Sequence, residues 1–250
     1  MSLTVGKTYF EKVLKVLDEV QKTQEEVIVK ASQWIAESLE QDGVLHVFGS
    51  GHSHVVSEDL FFRAGGFAPV NAILDVNLTM HGGGSPTRGT LLERLEGYAQ
   101  IVLDNYDLRA GEVIIVISNS GINPLPIEIA MLAKQKGLKV IALTNLSQSR
   151  GAKSRHSGGK KLYELVDLVI DSCVEKGDAS LEIGDGVPKV APQSTVVCCA
   201  IVQALMAEVA AKMYADGVMP PVAVSANVPG GDERLAEWRK KFGGKRLRTH

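Results

Sequence analysis

The feature that most restricts the fold is a series of short, nearly continuous apolar runs: Val44–Phe48, Val70–Leu74, Val113–Ile117, Val140–Leu143 and Leu168–Ile170. A strand with one wet face alternates apolar and polar residues; near-continuous runs belong to parallel strands covered on both faces. Segments of helical character lie between them: His52–Ala64, Thr90–Asn105, Pro124–Gln135 and Thr195–Ala215. A long amphipathic helix precedes them over residues 8–40. There Phe10, Val13, Leu14, Leu17, Val20, Val27, Ala31 and Ile35 recur mostly at steps of three and four. Strands alternating with helices predict an α/β fold, a parallel sheet held between two helical layers. One domain is expected, with an N-terminal helical arm over 1–42, an αβα core over 43–216 and a tail over 217–250. The tail is rich in Pro, Gly and charge, and is expected to wrap over the domain or a partner subunit.

Charge narrows the choice of partners. Among 250 residues, 27 basic and 29 acidic side chains give a net charge of −2. A nucleic-acid binder would carry a basic excess, so none is expected as a partner. No stretch approaches the ~20 continuous apolar residues of a membrane span, and the opening MSLTVGKTYFEKV lacks a secretory pattern. A cytoplasmic protein without a membrane role is expected. Cys173, Cys198 and Cys199 cannot all pair, and there is no CxxC, which argues against a disulfide framework or a thiolate zinc site.

In such sheets ligands bind beyond the carboxyl ends of the strands. The first loop there is Gly49-Ser50-Gly51-His52-Ser53, between a strand and a helix. Its glycines permit close backbone approach, the helix start offers N–H groups, and Ser50 and Ser53 add hydroxyls, a combination suited to an anion such as phosphate. A plain tight turn is the simpler alternative. A dinucleotide fingerprint is another, but His54 stands where its third glycine would be, although Asp75 follows a later strand at a suggestive distance. The second loop, Ser118-Asn119-Ser120-Gly121-Ile122-Asn123-Pro124, has small polar side chains and a Pro at a helix start. Helix capping alone would explain one such loop less awkwardly than two on the same sheet edge. Thr144-Asn145, after the fourth apolar run, follows the same grammar.

A strand ending in Gly-x-Gly-x-Ser, a second ending in Ser-x-Ser-Gly with a downstream Asn-Pro, and a third ending in Leu-Thr together resemble the SIS (sugar isomerase) domain. The resemblance runs from about Gly43 to Ala211 and is closest to a phosphosugar-binding branch carrying His-Ser-His in the first loop. It implies a three-layer αβα sandwich around a five-stranded parallel sheet, and a phosphorylated sugar as ligand. By similarity to phosphoheptose isomerase, Ser53, Ser118, Ser120 and Asn123 would hold the phosphate, with Ser50, Gly51, His52, Asn119, Gly121 and Thr144 around it. Ala191-Pro192-Gln193-Ser194-Thr195 looks like the final loop and helix start of arabinose-5-phosphate isomerase, which adds Ser194 and Thr195. The position of the catalytic Glu in phosphoheptose isomerase is Arg63 here, so that assignment does not carry over. Where the arabinose-phosphate enzyme has a His before the final helix, this chain reads Val187-Pro188-Lys189. SIS proteins commonly dimerise, which implies a homodimer or higher homo-oligomer.

Aldose–ketose isomerisation needs a base at the carbon beside a carbonyl and an acid at the oxygens, and no redox cofactor. Glu58 is the candidate base, with His54 four residues earlier on the same helix face, and His54 or His52 contacting sugar oxygens. A solvated helix carboxylate is the plainer reading of Glu58. His81, His156, Glu182 and Lys189 are further candidates on segments outside the strands. No His-x3-His or His-Glu-x-x-His spacing occurs, so no metal is expected. Two other functions stand beside the isomerase. One is a non-catalytic sugar-phosphate sensor, though no basic helix-turn-helix precedes the core. The other is a dinucleotide-dependent oxidoreductase using Asp75.

Overall fold

A computed structural model describes residues 4–80, 85–225, 228–242 and 246–247. Five parallel strands form the central sheet: β1 (Leu45–Gly49), β2 (Val70–Ile73), β3 (Val113–Ile117), β4 (Lys139–Thr144) and β5 (Leu168–Asp171), in the order β2-β1-β3-β4-β5. Every residue of β1, β2 and β3 is buried, as their near-continuous apolar sequences require. Successive side chains divide between two cores. Leu45, Val47, Val113, Ile115, Ile117, Ile141 and Leu143 face a layer built from α1 (Val5–Glu40), α2 (Ser53–Leu60) and α7 (Ser194–Ala215). Phe48, Ile114, Val116, Val140 and Ala142 face α4 (Tyr98–Leu103) and α5 (Pro124–Gln135). This is a three-layer αβα sandwich with a long N-terminal helix. The short helices α3 (Pro86–Glu93) and α6 (Leu146–Arg150) complete the core.

Among the described residues α7 is the one helix long and apolar enough to cross a bilayer. Its apolar residues have partners within the fold: Val197, Cys198, Ile201, Val202, Leu205, Met206, Val209 and Met213 are buried, in the core shared with α1 and the sheet.

Three elements depart from the periodicity. The helix expected over His52–Ala64 stops at Leu60 because the next segment pairs with the tail: Gly65 N–H donates to Ala223 O at 2.9 Å, and Ala68 N–H to Pro221 O at 2.8 Å. The helix expected over Thr90–Asn105 is two helices, α3 and α4. Gly97 breaks it in a left-handed conformation (φ +86°), its N–H held by both Glu128 carboxylate oxygens at 2.9 and 2.8 Å. A hairpin of β6 (Ala179–Leu181) and β7 (Val190–Pro192) precedes α7, with strands too short for a hydrophobic pattern to reveal. The tail forms α8 (Gly231–Phe242) and packs Phe242 and Leu247 against Val44.

Beneath the tail, at the end of the sheet opposite the loops, lies a buried polar network. His46 Nε2 lies 2.9 Å from Glu112 Oε2, and Asn71 Nδ2 lies 3.2 Å from His46 Nδ1. Val44 N–H and Arg109 N–H donate to the two Glu112 oxygens at 3.0 and 2.9 Å, and the Arg246 guanidinium pairs with the same carboxylate. Burial alone would push the Glu112 carboxyl up; the hydrogen bonds from His46, Arg246 and the Arg109 N–H outweigh it and hold it down to about 2.

Candidate phosphate-binding and catalytic site

The turn from β1 into α2 is tight enough to demand glycine. A Cβ on Gly49 would lie 2.3 Å from the Ser53 carbonyl oxygen. Gly51 takes φ +56° and donates its N–H to Leu78 O at 2.9 Å. Ser53, His54 and Val55 N–H close back onto the carbonyls of Ser50, Gly51 and His52 at 3.1–3.2 Å. This first turn spends its own donors, so attraction for an anion falls to the Ser53 hydroxyl, His52 and the helix dipole. The Ser50 hydroxyl donates to Glu93 Oε1 on α3, at 3.0 Å.

The second loop is tied to the third. Asn119 O accepts the Asn145 N–H at 3.0 Å and the Thr144 hydroxyl at 3.4 Å. Ser118 Oγ accepts the Gly121 N–H at 3.2 Å. Gly121 has φ +61°, and a Cβ there would approach Thr144 Oγ1 and Ser149 Oγ to 3.1 Å. Ser120 is half-buried, and its hydroxyl makes no hydrogen bond among the described residues, leaving a donor for a ligand. Asn123 is buried, and its Oδ1 accepts from the Arg155 guanidinium at 2.8 Å.

Side chains from three elements meet in one depression: His52, Ser53 and Val56 from α2, Asn119 from the second loop, and Ser194, Thr195 and Cys198 from α7. The start of α7 already holds a carboxylate. Asp178 accepts the Gln193 and Ser194 N–H groups at 2.9 and 2.6 Å, and the Ser194 hydroxyl at 2.7 Å. The positive end of the α7 dipole is thereby compensated, so an added anion is drawn to the first two loops.

On α2, His54 Nδ1 lies 3.0 Å from Glu58 Oε1; the imidazole is buried, while the Glu58 side chain is 48% exposed. Arg63, beyond the end of α2, pairs with Asp59, which also accepts from Gln203 of α7 at 2.7 Å. Both Asp75 oxygens are in use, Oδ1 accepting from Asn77 N–H and Asn77 Nδ2 at 2.8 and 2.9 Å and Oδ2 from the Tyr98 hydroxyl at 2.7 Å.

The remaining candidates lie apart from this depression. Lys189 joins Glu175 and Glu182 at 3.4 Å on the hairpin. His156 groups with Glu96 and Glu128, their ligand atoms all within 4.8 Å of one another. Its Nδ1 accepts the Gly158 N–H at 3.0 Å, so the neutral ring carries its proton on Nε2, facing Glu128 at 3.8 Å. A ring so protonated favours a polar tie between loops over metal ligation. His81 lies outside the described residues. Glu93 and Asp178, each bonded to a candidate residue, have no motif to announce them: they meet the loops only through the tertiary fold.

Comparison with known proteins places this arrangement. The profile of the SIS domain matches residues 8–145. A UPF0309 protein of Geobacillus thermodenitrificans is 41% identical over 234 residues, covering 94% of this chain and 93% of that one. Another from Caldanaerobacter subterraneus is 42% identical over 243 residues, covering 96% and 98%. Among solved structures, phosphoheptose isomerase from Neisseria gonorrhoeae superposes with a TM-score of 0.54 at 16% identity, over 82% of this chain and 96% of that one. A phosphoheptose isomerase from Francisella tularensis gives 0.50 at 21%, over 83% and 98%. The structural likeness is one of fold. On the profile match and the near-full-length relatives, this chain belongs to the SIS domain family.

Proposed function

We propose that this protein binds a phosphorylated sugar at the ends of β1 and β3 and isomerises it between aldose and ketose. One observation carries the reading: His52 and Ser53 of the first loop and Asn119 of the second line a single shallow depression of about 10 Å³, and the half-buried Ser120 follows Asn119 in the chain. The Ser53 and Ser120 hydroxyls grip a phosphate dianion by charge-assisted hydrogen bonds, with the dipole of α2 behind them. Ser118, Gly121, Asn123 and Thr144 support that loop from behind, Ser194 stays tied to Asp178, and Thr195 lines the far wall.

Glu58 takes the proton from the carbon beside the carbonyl. The C–H electron pair becomes the new C–C double bond and the carbonyl oxygen takes up a proton; Glu58 then returns its proton to the former carbonyl carbon while the neighbouring hydroxyl gives up its own to become the new carbonyl, so one proton has passed between the carbons and one between the oxygens. No net oxidant is needed. His54, buried against Glu58, orients that carboxylate, and the exposed His52 contacts sugar oxygens. A second reading, a sugar-phosphate sensor without turnover, is favoured by Arg63 occupying the position of the relatives' catalytic Glu.

We further propose a single SIS domain acting as a cytoplasmic homodimer. A groove of about 550 Å³ between α1 and α7, lined by Leu17, Val20, Ile28, Val29 and Ala204 and edged by Gln21, Glu25 and Glu208, supports the dimer, as do Phe10 and Leu14, both more than 60% exposed on α1. The functional test is a thermal-shift screen of pentose, hexose, heptose and amino-sugar phosphates with NAD as control, followed by NMR of any hit for isomer exchange. Stabilisation by a sugar phosphate with exchange supports the isomerase, and stabilisation without exchange supports the sensor. Stabilisation by NAD alone overturns both.

A further inference from the structure

We propose that the cleft between the first loop and α3 holds the body of the sugar, and that Glu93 restricts it to bodies without negative charge. This rests on the phosphate-binding reading above. The cleft has a volume of about 300 Å³ and is lined by Gly51, Thr79, Met80, Thr87, Thr90 and Glu93, among others. That lies at the small end of the range for ligand sites, suited to one monosaccharide rather than a nucleotide.

Gly51 joins the cleft to the phosphate end. It is the residue immediately before His52 and Ser53, and apart from its chain neighbours no atom lies within 4 Å of where its Cβ would stand. A ligand anchored at Ser53 therefore meets no side chain on Gly51 as it turns towards the cleft. The wall it meets there is hydroxyl-rich, and Glu93 is its single charged side chain among the described residues. Glu93 Oε1 accepts the Ser50 hydroxyl at 3.0 Å, which fixes the carboxylate relative to the first loop and leaves its second oxygen for the ligand. A fixed carboxylate accepts hydrogen bonds from sugar hydroxyls, attracts an ammonium group and repels a second anion. The class admitted is thus a sugar monophosphate with a neutral or amine-bearing body; bisphosphates and phosphorylated sugar acids are refused.

The test is calorimetric titration of the full-length protein with inorganic phosphate, glucose 6-phosphate, glucosamine 6-phosphate and 6-phosphogluconate. Wild type, Glu93→Gln and Glu93→Ala are compared, each first checked by thermal melting. In wild type, 6-phosphogluconate should bind about tenfold or more weaker than glucose 6-phosphate, with glucosamine 6-phosphate at least as tight as glucose 6-phosphate. Both Glu93 variants should bring the three sugar derivatives to within about threefold of one another while leaving inorganic phosphate unchanged. An unchanged preference in both variants overturns the proposal. So does a uniform loss that includes inorganic phosphate, because Glu93 would then act only through Ser50 on the loop. Failure of every phosphate compound to bind wild type overturns the phosphate-binding reading itself.

Discussion

Replacing Glu112 with Gln should cost the fold about 3–5 kcal/mol, the range for breaking a buried ion pair by removing one partner. The carboxylate is 4% exposed, and both its oxygens are used. Oε1 accepts the Val44 N–H and pairs with Arg246; Oε2 accepts the Arg109 N–H and faces His46 Nε2. An amide has one accepting oxygen, so two of these donors would confront an NH2 group, at about 1–3 kcal/mol each. Acid gives an independent check on the magnitude. The carboxyl is held down to about 2 from an ordinary value of 4.5, and that difference is worth about 3 kcal/mol. A depressed carboxylate contributes its stability in full above the unfolded value, and the contribution disappears as pH falls from about 4.5 towards about 2. Urea unfolding at pH 7 should therefore show the full gap between wild type and Glu112→Gln, and the same experiment at pH 3 a clearly narrower one. A cost below about 1 kcal/mol at pH 7, or a gap that does not change with pH, would refute the reasoning. Because the network lies at the other end of the sheet from the loops, sugar-phosphate affinity of the folded variant should equal that of wild type.

Ser53→Ala and Ser120→Ala should each weaken sugar-phosphate binding by about 1–3 kcal/mol, the loss expected when a charged acceptor gives up a donor; unchanged affinity by calorimetry in both would move the phosphate elsewhere. Glu58→Gln should abolish turnover of any sugar phosphate that reacts, with binding retained, and undiminished turnover followed by NMR would remove Glu58 as the base. Sedimentation at micromolar concentration should show a dimer that Leu14→Asp dissociates; a monomeric wild type would contradict the covered apolar face.

The sheet was legible because burial on both faces leaves a local trace. Val113–Ile117 is apolar at every position and buried at every position, and the five apolar runs match the five strands to within a residue or two. The loops at the strand ends were legible for a related reason: the Gly49 turn and the Gly121 crest need glycine sterically, and glycine is visible in a sequence. Long-range polar contacts leave no such trace. Ser50 meets Glu93 across 43 residues and Asn123 meets Arg155 across 32. Gly97 ends a helical stretch because Glu128, 31 residues on, captures its N–H. The first turn of α2 also differs from a simple expectation of open N–H groups, since its amides bond to their own loop. That shifts the anion grip onto side chains, making Ser53 and Ser120 sharper targets than backbone geometry alone would.

The most direct measurement is a crystal structure with a bound sugar phosphate, glucose 6-phosphate or whichever compound stabilises the protein most. The phosphorus atom should lie between the β1–α2 and β3–α5 loops, within hydrogen-bonding reach of the Ser53 and Ser120 hydroxyls, with the carbon chain crossing Gly51. A phosphate lodged instead at the basic hairpin residue Lys189, or beside His156, with those two hydroxyls untouched, would contradict the account.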